Sequence, residues 1–290
     1  MEEKMVLIGE SINIISRKIG EAIRNRNKKP IQELALQQEE KGADYLDVNI
    51  GPARKDGPEL MEWIVEAIQE VCKLPLSLDT TNPEAMRAGL SVCKESPLVN
   101  STSCQEERLS KVLPLAAEFD CDIICLLLTD QGLPRDVEER VSLALQITER
   151  ANSLDIPNER LWIDPLMFAV IVDQKQVVSF TEFLELLPSL ILPPTKSTCG
   201  LSNVSQGIPD EELRSIMNRG AYCICYQAGI SSAIVNVLDD SFMEVVCGIE
   251  KQGSVDKYLE VVDSDKKVKL EKTIRVLRNE VLYCHSWLEI

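Results

Sequence analysis

Short apolar, β-branched runs alternate with longer amphipathic stretches from one end of the chain to the other. The runs predict strands at Met5 to Ile12, Tyr45 to Ile50, Leu76 to Thr80, Leu98 to Ser101, Ile123 to Leu128, Leu161 to Leu166, Ser197 to Leu201 and Ala233 to Leu238. Apolar recurrence at helical spacing predicts helices near Ile31 to Lys41, Pro58 to Val71, Pro83 to Cys93, Glu106 to Glu118, Asp136 to Ser153, Thr181 to Leu190 and Asp210 to Tyr226, with helical sequence again from Ser241. From Gly248 to Asp265 the pattern loosens, with a break at Gly253-Ser254, before Leu270, Ile274, Leu277 and Val281 mark a closing helix. Punctuation agrees with these bounds. Pro83 and Pro30 stand at or near first helical positions, Asn82 is a good N-cap, and Gly42 and Gly229 follow the last periodic residues.

Continuous apolar strands such as Ile123 to Leu128 imply burial on both faces, as in a parallel sheet covered by helices. Eight strand-helix units in about 250 residues fit a closed (β/α)8 TIM barrel better than an open doubly wound sheet. No G-x-G-x-x-G follows the first strand, which weighs further against a dinucleotide fold. The expectation is therefore one barrel domain over residues 1–290, with a longer C-terminal helical region at about 248–290.

Composition narrows the partners. The 290 residues are 44% hydrophobic and 27% charged, and 31 Lys plus Arg against 47 Asp plus Glu leave a net charge of -16, which argues against nucleic acid or an anionic membrane surface. No apolar run reaches the about 18 residues of a membrane helix, and Met1 to Lys4 is too charged for a signal peptide, so a cytoplasmic protein is expected. The ten cysteines are scattered, and Cys72, Cys93, Cys125 and Cys247 sit in strand or helix patterns where reduced, buried thiols are ordinary. Cys223 and Cys225 form a CxC without further ligands at metal spacing, so no metal is expected. His285 is the only histidine, which removes Ser-His-Asp, Cys-His and multi-histidine metal chemistry.

What remains is a set of acids and amides at strand ends, the face on which barrel chemistry sits. Glu10 and Asn13 end the first strand, Asp47 and Asn49 lie in the second, Asp79 ends the third, Asn100 the fourth and Asp164 the sixth. Asn203 follows the seventh, within Gly200 to Gly207 (GLSNVSQG) together with Ser202 and Gln206, and Asn236 and Asp239 close the eighth. Any single one could be a turn or helix-cap residue, and Asp47 and Asn49 could serve the barrel's own hydrogen bonding. Together they form a ring of donors and acceptors with almost no lysine, arginine or histidine, suited to a flat, neutral heterocycle with adjacent ring N, NH and amino groups. A phosphate-bearing substrate fits poorly, with Lys196 and the helix N-termini the residual candidates for one.

These residues resemble the methyltetrahydrofolate:corrinoid protein methyltransferases, a family of pterin-binding, dihydropteroate synthase-like barrels. The matching pieces are IGESIN (Ile8 to Asn13), LDVNIGPA (Leu46 to Ala53), LDTTN (Leu78 to Asn82), VNSTS (Val99 to Ser103), IDPL (Ile163 to Leu166), GLSNVSQ (Gly200 to Gln206) and the terminal VLYCHSW (Val281 to Trp287). Departures fall at Ser11 and Ser103, where relatives read GERIN and NSTN, and in longer stretches after Gln206 and around Gly248 to Lys269. The resemblance implies that Asp79, Asn100 and Asp164 hold the pterin ring, and that Asn203 lies beside its N5 and is the catalytic residue. It also implies a homodimer that moves methyl between N5 of tetrahydrofolate and the cobalt of a corrinoid on a partner protein. A corrinoid-binding module would carry DxHxxG, and the lone His285 sits in CHSW, so the corrinoid (cobalamin) is expected on the partner. The alternatives are a dihydropteroate synthase-like enzyme, for which Arg54-Lys55 is a faint basic echo, and a non-catalytic pterin-binding or docking subunit.

Overall fold

The computed structural model describes residues 4–289, and the alternation in the sequence becomes an eight-stranded parallel sheet with helices between the strands. Met1 to Glu3 and Ile290, the ends of the expected domain and most of the charged N-terminus, lie outside the described residues. The strands are β1 (Val6–Asn13), β2 (Tyr45–Asn49), β3 (Leu76–Asp79), β4 (Leu98–Ser103), β5 (Asp122–Leu126), β6 (Leu161–Asp164), β7 (Lys196–Ser197) and β8 (Ser232–Val235). The helices are α1 (Arg17–Arg24), α2 (Lys28–Glu40), α3 (Gly57–Gln69), α4 (Pro83–Val92), α5 (Glu106–Glu118), α6 (Val137–Asn152), α7 (Lys175–Leu190), α8 (Glu211–Gln227), α9 (Asp240–Gln252), α10 (Val255–Val261) and α11 (Ser264–Leu277). Neighbours run β7, β6, β5, β4, β3, β2, β1, β8, so sequence order is spatial order around a TIM barrel.

The seam between β7 and β8 closes the barrel, and side chains do much of the work. Ser231 N donates to Ser197 Oγ (3.0 Å), Ser197 N to Ser231 Oγ (3.1 Å) and Ser232 Oγ to Ser197 O (3.0 Å). Further along, Ile234 N donates to Cys199 O at 2.8 Å and Gly200 bridges Ile234 in parallel register. The expected strand to Leu201 is therefore shorter. After Cys199 and Gly200 the chain coils into a 3₁₀ turn, Leu201–Ser205, instead of continuing the ladder.

Inside the barrel, Ile8, Leu98, Ile124 and Trp162 form a buried layer flanked by Val6, Tyr45, Leu126 and Ile234. The N-terminal end is plugged by an aromatic and ionic cluster. Asp122 Oδ2 accepts from Trp162 Nε1 (2.8 Å) and Lys196 Nζ (2.7 Å), Lys196 Nζ lies 4.9 Å from the Trp162 ring, and Tyr45 meets Trp162 edge-on with centroids 5.8 Å apart. Lys196 is thus committed at the end opposite the carboxylates, which removes it as a phosphate ligand at the mouth.

Elsewhere bounds shift for physical reasons. α1 was not expected; Gly20 interrupts its pattern, yet a Cβ there would stand 2.1 Å from Ile14 O, so only glycine lets α1 fold back onto the loop. α7 starts at Lys175 rather than Thr181, because Val177 and Phe180 extend the buried stripe of Phe183, Leu184 and Leu187. Gly253 (φ +70°) ends α9 and Ser254 caps α10, as the predicted break requires. α11 stops at Leu277; Val281 lies beyond it, where Gln174 Nε2 holds its carbonyl (2.6 Å), and Trp287 is buried with Nε1 donating to Thr273 Oγ1 (3.0 Å). All ten cysteines are free thiols, with Cys247 exposed rather than buried. No helix among the described residues is long and apolar enough to cross a membrane.

The seam generates a stability test. Ser197→Ala leaves the Ser231 amide without its acceptor, so the midpoint of urea unfolding should fall by the equivalent of about 1–3 kcal/mol, whereas an exposed Ser189→Ala control should not move it.

Candidate functional site

Because side chains alternate along a strand, Asp47 and Asn49 face the same side of β2, and the parallel register carries their level to the neighbouring strands. Asn13, Asn49, Asp79 and Asn100 are successive register partners across β1, β2, β3 and β4, and Asp47 pairs with Ser77 one step below. Asp164 ends β6 opposite Leu126 of β5. Asn13, Asn49, Asp79 and Asp164 end their strands, whereas Asp47 lies mid-strand, and so does Asn100, because β4 runs on to Ser103 beyond the expected Ser101. Two irregularities adjust the aim, between Gly9 and Ile12 in β1 and between Val99 and Thr102 in β4. In β1 the cause is visible: the buried Gln38 of α2 accepts from Ser11 N (3.1 Å), and a Cβ on Gly9 would lie 2.5 Å from its Oε1.

The acids are held by neutral donors. Asp47 Oδ1 accepts from Ser77 Oγ (2.7 Å) and Asn100 Nδ2 (2.9 Å), Asn49 Nδ2 donates to Asp79 Oδ2, and Leu166 N donates to Asp164 Oδ1 (2.8 Å). Burial raises the affinity of each for a proton. The Asp164 carboxyl is pushed up to about 7 by desolvation, against the Leu166 amide and the Arg140 charge, which oppose it. Asp47 and Asp79 are also raised, first by burial; repulsion from Asp47 adds to Asp79, while Asn49 and Arg108 work the other way. Asp47 has two donors and Asp79 one, and the Asp47 charge adds to the burial of Asp79, so Asp79 holds its proton to the higher pH.

The Gly200–Gln206 loop comes to the same mouth. Ser202 Oγ donates to Glu10 Oε2 at 3.1 Å, joining the loop to β1. Glu10 is raised to about 7, by desolvation first, with Ser202 lowering it and Asp47 raising it. Asn203 lies on the 3₁₀ turn with its side chain exposed; a Cβ on Gly200 would approach its Nδ2 to 3.0 Å, so Gly200 leaves room for the amide. Several polar groups stay uncommitted at this end. Asp79 Oδ1, Asn100 Oδ1, Asp164 Oδ2 and the Asn203 amide form no hydrogen bond among the described residues, although the partner atoms of the first three are tied down.

The remaining candidates are spent on structure. Asn13 Oδ1 accepts from Ile15 N, Asn49 Oδ1 from Gly51 N and Asn236 Oδ1 from Leu238 N, all local turns. Asp239 caps α9 through Ser241 N and Phe242 N and accepts from Ser215 Oγ (2.6 Å), while Gln206 ends the 3₁₀ turn, exposed. One mouth residue escaped the sequence. Arg108, in the first turn of α5, donates to Thr81 O (2.8 Å) and Ser101 O and places its charge beside Asp79. Its only sequence signal is its position at the start of the helix after β4. A separate cavity of about 540 Å³ lies at the barrel's other end, where Lys4 and Lys196 line it but are paired with Asp44 and Asp122.

Known proteins resemble the chain in sequence and in fold. The chain is 29% identical over 244 residues to the methylcorrinoid:tetrahydrofolate methyltransferase of Eubacterium limosum, covering 83% of this chain and 89% of that protein. It is 27% identical over 244 residues to the methionine synthase of Mycobacterium leprae, where the match takes in 80% of this chain but only 20% of the larger enzyme. Dihydropteroate synthase from Thermus thermophilus superposes with a TM-score of 0.66 at 19% identity, over 87% of this chain and 95% of that one, a likeness of fold. The family of pterin binding enzymes matches residues 9–236, from β1 through β8, and the chain belongs to that family.

Proposed function

We propose that the chain is a methyltransferase that moves a methyl group between N5 of tetrahydrofolate and the cobalt of a corrinoid on a separate protein. The observation that carries this reading is the set of uncommitted atoms at the mouth, Asp79 Oδ1, Asn100 Oδ1, Asp164 Oδ2 and the Asn203 amide, each on a side chain fixed by its neighbours or given room by Gly200. The carboxylate oxygens accept from the N3–H and 2-amino group of a pterin, Asn100 serves the same ring, and Asn203 sits at N5. The name of the Eubacterium limosum relative, methylcorrinoid:tetrahydrofolate methyltransferase, joins the same two reactants. We assign a corrinoid-protein partner and a homodimeric state to this chain from the family resemblance of its motifs, the terminal VLYCHSW among them.

Chemically, a tertiary amine is a poor leaving group. When the methyl–N5 bond breaks, N5 keeps the electron pair and takes a proton; in the reverse direction it loses that proton and attacks the methyl carbon. The Asn203 amide bonds N5 more strongly as its charge changes, and Asp79, Asp164 and water supply the proton route. Reactivity of the cobalt belongs to the partner's cofactor. The deciding experiment runs single turnovers both ways, tetrahydrofolate with methylcobalamin or a methylated corrinoid protein, and methyltetrahydrofolate with reduced corrinoid. Tetrahydrofolate binding without methyl transfer in either direction would overturn the reading.

Two outcomes follow from the geometry. Asn203→Ala touches no protein hydrogen bond of its side chain, so the thermal midpoint should hold while single-turnover transfer falls about 100-fold or more and tetrahydrofolate binding changes far less. Binding through the ionised Asp79 and Asp164 requires loss of protons held up to about 8 and about 7, so affinity should be level only above pH 8 and fall as pH drops through about 8 and then through the Asp164 midpoint. Calorimetry in two buffers of different ionisation enthalpy should show proton release on binding near pH 6.5, a value about half a unit below that midpoint.

A further inference from the structure

Arg140 of α6 is 1% exposed and has no carboxylate within ion-pair distance among the described residues. Burying a guanidinium in this way is costly unless every donor finds an acceptor. Nε donates to Pro165 O (3.0 Å), Nη1 to Ser179 Oγ (2.7 Å) and Asp136 O (3.3 Å), and Nη2 to Gln176 Oε1 (2.9 Å). Ser179 and Gln176 belong to α7, so the side chain ties α6 to α7 and both to the loop after β6.

The Pro165 bond does more than staple helices. Pro165 O and Leu166 N are two ends of one planar peptide group, which transmits orientation rigidly. One end accepts from Arg140, and the other donates to Asp164 Oδ1 at 2.8 Å. Leu166 itself stands at φ +68°, in the left-handed region that a leucine rarely occupies unless its surroundings hold it there. A charged donor at the carbonyl also polarises the N–H at the other end and strengthens its bond to the carboxylate. Resting on the pterin reading above, we propose that Arg140 is a positioning residue of the pterin site, holding the Pro165–Leu166 peptide so that Asp164 keeps one oxygen fixed and the other free for the ligand.

The charged and titratable groups that face Asp164 are the Arg140 guanidinium from α6 and the Cys199 thiol after β7, and those that face Arg140 are Asp136, Glu139 and Asp164. Removing the cation should therefore make Asp164 harder to ionise, whereas loss of a mere helix staple would leave its titration alone.

The test uses Arg140→Gln and Arg140→Lys in the full chain, followed by ¹³C NMR titration of the Asp164 carboxyl without ligand and by tetrahydrofolate binding across pH. Arg140→Gln should move the Asp164 midpoint upward and weaken tetrahydrofolate binding about tenfold at neutral pH, the worth of about one net hydrogen bond. Arg140→Lys keeps the charge without the fork, so the midpoint should return toward the wild-type value while affinity recovers only in part. An unchanged titration together with unchanged affinity in folded Arg140→Gln would overturn the proposal. Should that variant not fold, the Gln176→Ala, Ser179→Ala double variant frees the guanidinium while keeping it charged; weaker tetrahydrofolate binding supports the role and unaltered binding overturns it. Failure of the wild-type chain to bind tetrahydrofolate would count against the pterin reading instead, and the ligand-free titration would still decide the link between Arg140 and Asp164.

Discussion

The parallel barrel has to close on itself, and it does so where β7 is only two residues long. Hydroxyls replace ladder bonds there: Ser197 and Ser231 exchange hydrogen bonds between backbone and side chain, and Ser232 reaches the Ser197 carbonyl. The short strand is what lets the chain leave the sheet at Gly200 and lay its 3₁₀ turn across the mouth. Ser202 then meets Glu10 of β1, with the exposed Asn203 beside it on the same turn.

That space is expensive to maintain, because it gathers Glu10, Asp47, Asp79 and Asp164 in a poorly hydrated place. Direct ion pairs would quench the acceptors a ligand needs. The structure instead gives each acid neutral donors on one side, from Ser77, Asn100, Asn49, Ser202 and the Leu166 amide, and stations its two cations behind backbone carbonyls. Arg108 binds Thr81 O and Ser101 O, and Arg140 binds Pro165 O. Their charge is felt at Asp79 and Asp164 without occupying an oxygen. The acids are consequently poised near neutrality, ready to exchange a proton for a ligand's donors.

The scaffold was legible where burial writes a period into the sequence. Continuous apolar strands gave the parallel sheet, and the α5 bounds, Glu106 to Glu118, match the observed helix, since acidic residues start it and its apolar stripe stops there. The acids and amides of the mouth were legible because strand ends converge in a barrel. Residue type and position alone did not set Asp79 and Asp164 apart from Asn13, Asn236 and Asp239, which only the family resemblance did, for a turn amide, a helix cap and a free acceptor are the same residue types until the backbone shows which N–H groups lie within reach. Arg108, Arg140 and Gln38 were hidden for another reason: they stand on helices, among ordinary surface-like sequence, and act across tertiary contacts. α1 escaped because the glycine that allows its close approach also lowers its helical signal.

The plug of Tyr45, Asp122, Trp162 and Lys196 bears on the order of events. With the barrel filled from that end, traffic to the carboxylates has a single doorway, and under the proposed function two visitors of unequal size must share it. Under that function a folate seated at the carboxylates can enter and leave only by the opening that the corrinoid carrier covers. On that reading a vessel with one door imposes a queue: small guest first in and last out.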